Sequence, residues 1–372
     1  MAHIKQNPRY QRQTTLKEFG ETSQEKLSNS KVLVIGAGGL GCPALQYLAG
    51  AGIGTLGLID HDIVSLSNLH RQVLYSTDDI GLSKALRAAD ILAALNPEID
   101  IIAYNEQLDN RNAINIISQF DIILDGTDNF ASRYMINDAC VLSNRPLIYG
   151  AISRFEGQIA IFNFDSGEGV TKTNYRDLFP NPPAEDEILN CAEAGVIGVL
   201  PGIIGTMMAN EAIKLITGIG TILTNRLMTY NSLNNQFYEM EIQPGQESLL
   251  LIPENIPAFQ STNYELMCSG QSGNQIDIML FDQMLQDPSV LFIDVREMNE
   301  TPELEEFNCI KLPLSGFRSA IETIKAENVV LFCQSGKRSL NAARMISEHY
   351  GNSKKVYSLK GGILAWKNLR RV

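Results

Sequence analysis

The apolar run Val32-Leu33-Val34-Ile35 passes without a break into Gly36-Ala37-Gly38-Gly39-Leu40-Gly41, and a further apolar stretch, residues 40–51, follows. That order suits a buried strand, a tight glycine turn and a helix, because β-branched residues favour strands and glycine lets a backbone come close to its neighbour. The turn has the G-x-G-x-x-G spacing that brings backbone N–H groups at a helix start to a phosphate. The alternation continues through residues 55–59, 82–95 and 122–124, and this rhythm predicts a parallel sheet with crossover helices. Residues 146–151 and 158–164 read as a strand pair around Glu156-Gly157, and the charged, Pro-containing stretch 171–187 reads as a mobile loop.

At 372 residues the chain is long enough for two domains. Between about 241 and 275, Pro244, Gly245, Pro253, Pro257, Gly270 and Gly273 interrupt any periodicity, as in linkers. The expected organisation is a nucleotide-binding domain over 1–245, a linker over 246–274 and a second compact α/β unit over 275–372. In that unit 290–295 and 329–333 read as buried strands and 339–350 as a helix. The fold class is α/β, a Rossmann-like, mostly parallel sheet joined to a smaller α/β domain.

With 30 Lys+Arg against 42 Asp+Glu, the net charge of -12 opposes unspecific attraction to nucleic acid or anionic lipid. The polar N-terminus lacks the apolar core of a secretory signal, and the uncharged run 32–59 is broken by eight glycines and Pro43. No membrane association and a cytoplasmic location are expected. The six cysteines, at 42, 140, 191, 268, 309 and 333, form no C-x-x-C pair.

The second predicted strand ends in Asp60, 24 residues after Gly36, where a carboxylate accepts hydrogen bonds from ribose hydroxyls. To this point NAD fits as well as ATP. Asn68, Arg71, Gln72 and Lys84 then cluster after Asp60, and Asp128 follows a strand in Asp125-Gly-Thr-Asp-Asn129. A triphosphate with magnesium calls for such a set, cations to neutralise departing oxygens and a carboxylate for the metal. Singly, each of these residues is an ordinary surface charge or turn residue; their joint placement at strand ends favours the site.

With Arg9-Tyr-Gln-Arg-Gln13, Asp60-His-Asp-Ile-Val-Ser-Leu-Ser-Asn-Leu-His-Arg-Gln72 and Cys191-Ala-Glu-Ala-Gly195, these segments resemble the MoeB/ThiF family, the ubiquitin-activating-type adenylyltransferases, over roughly residues 9–243. The resemblance implies that Gly38 and Gly41 border the phosphates, Asp60 holds the ribose, Asn68, Arg71, Gln72 and Lys84 contact ATP, and Asp128 binds Mg2+. It also implies that Arg12 reaches the nucleotide of a neighbouring subunit in a homodimer. The substrate would be a ubiquitin-like sulfur-carrier protein ending in Gly-Gly, activated as an acyl-adenylate. Many members carry a structural zinc on two C-x-x-C pairs. Here Asn174 and Asp177 replace the first pair, only Cys268 remains near the second, and no zinc is expected.

Cys191 matches a position where several relatives link covalently to the activated carrier, although it has no adjacent cation and also suits a buried structural thiol. Cys333 opens Cys333-Gln-Ser-Gly-Lys-Arg-Ser339 between a strand and a helix, where a helix N-terminus, Lys337, Arg338 and a loop curled at Gly336 stabilise a thiolate. With Ile293-Asp-Val-Arg-Glu297 and Leu359-Lys-Gly-Gly-Ile-Leu-Ala-Trp366 this loop resembles a rhodanese domain over about 275–372. The resemblance implies a Cys333 persulfide, loaded by a persulfide or thiosulfate donor, with Asp294 and Arg296 as braces and Trp366 in the core. The fusion points to thiocarboxylate formation for molybdopterin, thiamine or tRNA thiolation. The alternatives are a nicotinamide oxidoreductase, a sulfur-relay module with a vestigial ATP site, and activation of a peptide or tRNA-bound carboxylate.

Overall fold

Strands β1 (Lys31–Ile35), β2 (Thr55–Ile59), β3 (Asp100–Tyr104), β4 (Ile122–Asp125) and β5 (Leu147–Ser153) pair in parallel in the order β3-β2-β1-β4-β5. The continuous apolar runs of β1 and β4 are buried because helices cover both faces of the sheet. β6 (Glu156–Phe162), β7 (Arg226–Asn231) and β8 (Gln236–Glu241) extend it antiparallel to eight strands. This computed structural model describes residues 7–165, 167, 171–182, 195–264, 267, 274–301, 304 and 306–369. Strand order reverses between β1 and β4, which opens a crevice at their carboxyl ends, the place where open α/β sheets take ligands.

The chain divides into two units, Met1–Cys268 and Ser269–Val372. In the first, one core beneath the helices Gly41–Ala51 and Val199–Thr217 gathers Leu45, Leu48, Ile204 and Met208. The opposite face gathers Phe120, Tyr134, Ile136 and Phe162. Val199–Thr217 is long and apolar enough to cross a membrane. Its Ile204, Met208, Ala209 and Ala212 are instead buried against the sheet and the helix Gly41–Ala51, as a core helix requires.

Three sequence expectations need correction. The β5–β6 turn falls at Arg154-Phe155, with Arg154 at φ 53°, so Glu156 and Gly157 are already paired in β6. The stretch 171–182, expected as a mobile loop, is anchored: Tyr175 starts the short helix Tyr175–Leu178 and is buried between Tyr134 and Tyr149. The expected linker 246–274 contains the helices Gln246–Leu250 and Ile256–Ser261, both within the first unit. Pro257 lies in the first turn of the second helix, where a missing N–H costs nothing, and Phe259 enters the core. Proline there marks a helix start.

The second unit is a five-stranded parallel sheet in the order β11 (Ile310–Lys311), β10 (Val290–Asp294), β12 (Asn328–Phe332), β13 (Lys355–Leu359) and β9 (Asn274–Ile276). The buried Arg296 grips Asp294 through Nε at 2.9 Å and Nη2 at 2.7 Å, which braces the turn after β10. Trp366 is fully buried against Phe281 and Phe307, and its Nε1 donates to Asp282 at 2.7 Å.

Candidate functional sites

The crevice of the first unit is a cavity of about 190 Å³ lined by Gly38, Gly39, Asp60, Arg71, Gln72, Lys84 and Asp128 among others. Each arrives for a local reason. Gly38 and Gly39 follow β1, and Asp60 follows β2, where its Oδ2 accepts the Ala37 N–H at 2.8 Å and its Oδ1 the Asp62 N–H at 2.8 Å. The carboxylate is thus fixed by backbone, with lone pairs left for a ligand hydroxyl. Lys84 opens the helix Lys84–Leu95 behind the N-cap Ser83, and its buried Nζ lies 2.9 Å from Asp62 Oδ2. Tyr75 hydroxyl bonds both the Ala37 and Lys84 carbonyls, at 3.0 and 3.2 Å, and so couples the glycine loop to that helix start.

Arg71 and Gln72 descend from the short turn Leu66–Asn68, whose Asn68 carbonyl accepts both their N–H groups at 3.0 Å. Gln72 is buried, and its Oε1 has no partner. Asp128 stands exposed at the lip of the cavity after β4. Asp125 is buried at the strand end, where its Oδ1 takes the Thr127 N–H at 2.9 Å and hydroxyl at 2.7 Å, and burial pushes its carboxyl up from the usual range.

Three expected residues do not line this cavity. A Cβ on Gly41 would fall 1.8 Å from the Gly36 carbonyl oxygen, so this glycine lets the helix press against the turn. Asn68 acts on the cavity through its main chain. Arg12 is exposed in the short helix Gln11–Thr14, away from the cavity of its own chain. Sequence reading missed Asp62, the partner of Lys84, and Arg133, a buried arginine on the cavity wall. The string Asp60-His-Asp62 carried a signal for the first; nothing local marked the second.

Cys42, next after the glycine motif, donates to the Ala37 carbonyl at 3.3 Å, and burial pushes its thiol up to about 12, which disfavours the thiolate. Cys191 and Cys268 lie outside the described residues. At the position expected to lack zinc, Asp177 accepts the Asn174 N–H at 2.7 Å and its amide at 2.9 Å, the Gly245 N–H at 2.7 Å and the Ser248 hydroxyl at 2.5 Å. Among the described residues this cluster holds no thiolate, and its one carboxylate is occupied by these donors, a donor set unsuited to zinc. The hydrogen bonds themselves join residue 177 to residues 245–248.

In the second unit Cys333 follows β12, fully buried, in the short loop before the helix Lys337–Tyr350. Its Sγ receives the Gly336 N–H at 3.1 Å and lies 3.6 Å from Ser339 Oγ, which also contacts Ser358 Oγ at 2.9 Å. Gly336 has φ 92°, and a Cβ there would stand 2.9 Å from the Gly361 nitrogen. The loop is held by Ile363 N–H to Cys333 O at 2.8 Å and Leu364 N–H to Gln334 O at 3.2 Å. Backbone N–H groups around a sulfur at a helix start stabilise an anion. The expected charge of Arg338 is committed elsewhere, since both of its terminal nitrogens grip Glu300, and that guanidinium holds the Glu300 carboxyl down at about 2.

Comparison with known proteins follows the same division. Residues 10–250 match the ThiF family and residues 279–369 the rhodanese-like domain. The chain is 39% identical to a "Probable adenylyltransferase/sulfurtransferase MoeZ" of Mycobacterium tuberculosis, over 96% of this chain and 92% of that protein. It is 46% identical to a "Sulfur carrier protein adenylyltransferase" of Thermus thermophilus, over 63% of this chain and 87% of that one. Among solved structures, E. coli MccB with ATP aligns at a TM-score of 0.55 and 21% identity, covering 66% of this chain and 73% of that one, a likeness of fold.

Proposed function

Because the chain belongs to the ThiF family and continues into a rhodanese-like domain, we propose that it adenylates the C-terminal Gly-Gly carboxylate of a ubiquitin-like sulfur carrier and then converts that end to a thiocarboxylate. That the chain is an adenylyltransferase and sulfurtransferase follows from near-full-length relatives bearing both names. The carrier as substrate is supported by the name of the Thermus relative. The observation that carries the reading is one chain holding both a cavity lined by Arg71, Lys84 and Asp128 and a thiol, Cys333, that receives the Gly336 N–H and the Ser339 hydroxyl just before a helix.

In the first step a carboxylate oxygen attacks the α-phosphorus of ATP and pyrophosphate leaves. Asp60 holds the ribose, the N–H groups of the Gly38–Gly39 turn meet the phosphates, and Arg71, Gln72 and Lys84 bear the charge that develops on the leaving oxygens. The exposed Asp128 carboxylate would hold Mg2+, a hard cation that would supply further neutralisation of that charge. Asn68 contributes by shaping the turn that presents Arg71 and Gln72, and Arg12 completes the cavity of the second subunit of a homodimer. In the second step the outer sulfur of a Cys333 persulfide attacks the acyl carbon and AMP leaves. A further thiol then cleaves the acyl disulfide, releasing the thiocarboxylate and leaving that thiol in disulfide with Cys333. The described cysteines at 42, 140, 309 and 333 are all free thiols, as suits a reducing cytoplasm.

Carrier-dependent exchange of pyrophosphate into ATP tests the first step. Wild-type enzyme exchanges only when a Gly-Gly carrier is present, and Lys84→Met loses the activity by at least about a hundredfold, the scale of a lost charge-stabilising group. Exchange without a carrier, or at full rate in Lys84→Met, contradicts the assignment.

A further inference from the structure

One buried cation on the cavity wall has no part in the account above. Arg133 sits one turn into the helix Phe130–Leu142, is 8% exposed, and lines the same cavity as Lys84 and Asp128. Its Nη2 makes one long hydrogen bond, 3.3 Å to the Thr127 carbonyl, and its buried Nε has no partner. No carboxylate lies within ion-pair distance of it among the described residues. The nearby Asp125 has its Oδ1 taken by Thr127. The guanidinium is held between two rings, 5.3 Å from the centroid of Phe130 and 5.6 Å from that of Tyr149, so its plane is set before any ligand arrives.

A buried guanidinium whose nearest counter-charge, the buried Asp125, stays beyond ion-pair distance keeps hydrogen-bonding capacity to spare, and its planar fork matches two oxygens on one atom. Gln72 Oε1, also buried without a partner, opens on the same cavity. Two anions meet here in the reaction, the triphosphate and the acceptor carboxylate. The triphosphate already has the glycine turn, Arg71 and Lys84, all from the chain between β1 and the helix Lys84–Leu95. Arg133 comes from the helix after β4, where the neighbouring wall is formed by the uncharged Met135, Ile136, Ile152 and Val196.

We propose that Arg133 is the acceptor clamp: it binds the C-terminal carboxylate of the incoming chain and holds one oxygen toward the α-phosphorus. Side-chain-free glycines at that terminus let the carboxylate reach a guanidinium set this deep. The assignment rests on the adenylation reading above and names the group that recognises its substrate.

The test uses full-length Arg133→Lys and Arg133→Met with a Gly-Gly carrier and a non-hydrolysable ATP analogue. Carrier KM in pyrophosphate exchange rises roughly tenfold or more, the weight of a lost bidentate charged contact, while the analogue's Kd moves by less than about twofold. Thermal melting reports folding, and if the methionine variant unfolds the lysine variant decides alone. A Kd that rises as much as the carrier KM makes Arg133 a phosphate ligand and overturns the proposal. Exchange by wild type together with an unaltered Arg133→Lys sinks this assignment alone. Wild-type enzyme that binds the analogue yet gives no carrier-dependent exchange sinks the adenylation reading and this assignment together.

Discussion

Substituting alanine at Gly41 and at Gly38 separates the packing and binding halves of the glycine motif. At Gly41 the added Cβ lies 1.8 Å from the Gly36 oxygen and 2.9 Å from its carbonyl carbon, so the helix must retreat by at least 1.2 Å to restore even a 3.0 Å separation. Both sides of that contact are backbone, and no rotamer relieves it. Overpacking of this kind costs about 3 kcal/mol, which in a unit of this size lowers the melting temperature by roughly 6–12 °C. At Gly38 the nearest atom to the new Cβ is Gln72 Nε2 at 3.5 Å, ordinary contact, so the fold keeps its melting temperature within about 2 °C. The methyl group instead occupies the cavity where phosphate meets the turn, and nucleotide Kd rises about tenfold or more. Calorimetry follows the melting of the first unit, while fluorescence of Trp366, the chain's single tryptophan, follows the second as an internal control. Titration with a non-hydrolysable ATP analogue gives the affinities. Gly41→Ala melting like wild type, or Gly38→Ala unfolding while Gly41→Ala does not, refutes the division.

The clasp around Asp177 has a similar test: Asp177→Ala leaves the buried Asn174 N–H without its acceptor, while the Ser248 hydroxyl keeps the Gly245 carbonyl and the exposed Gly245 N–H turns to water, and destabilises the first unit by about 1–3 kcal/mol, with added zinc restoring nothing. A loss below about 1 kcal/mol in calorimetry counts against it. In the second unit Glu300 is held down at about 2 from 4.5 by Arg338, so its ionised form stabilises the fold above the unfolded value, and that contribution disappears as pH falls from 4.5 toward about 2. Denaturant midpoints read from Trp366 fluorescence therefore fall more steeply across this window in wild type than in Glu300→Gln, and equal slopes contradict the pairing.

The strand-turn-helix rhythm was legible because each piece has a local cause: β-branched runs for β1 and β4, glycines for the turn, Ser83 for the start of the next helix. Most of the cavity set was legible for the same reason, since Gly38, Asp60 and Asp128 each follow a strand end and Lys84 starts a helix, while Arg71 and Gln72 descend from the turn Leu66–Asn68. Tertiary causes were hidden. Pro257 and Pro253 have the composition of a linker, and only the burial of Phe259 against the first core makes 256–261 a helix. Tyr175 sits in a polar, proline-containing stretch whose pattern gives no period, yet four neighbouring rings anchor it. Gly41 carried the motif, but spacing alone did not show that a side chain there would meet the Gly36 carbonyl. Arg338 reads as free charge beside Cys333 until Glu300, distant in sequence, is brought to it.

The account's central claim is that activation and sulfur transfer are successive acts of one chain, the second performed by Cys333. Intact-mass measurement of a Gly-Gly carrier, incubated with enzyme, ATP, Mg2+ and a persulfide donor, tests it most directly. Wild-type enzyme adds about 16 Da to the carrier, one oxygen exchanged for sulfur, and does so only with ATP; Cys333→Ser retains pyrophosphate exchange and adds nothing. A full mass gain with Cys333→Ser, or a gain without ATP, would contradict it.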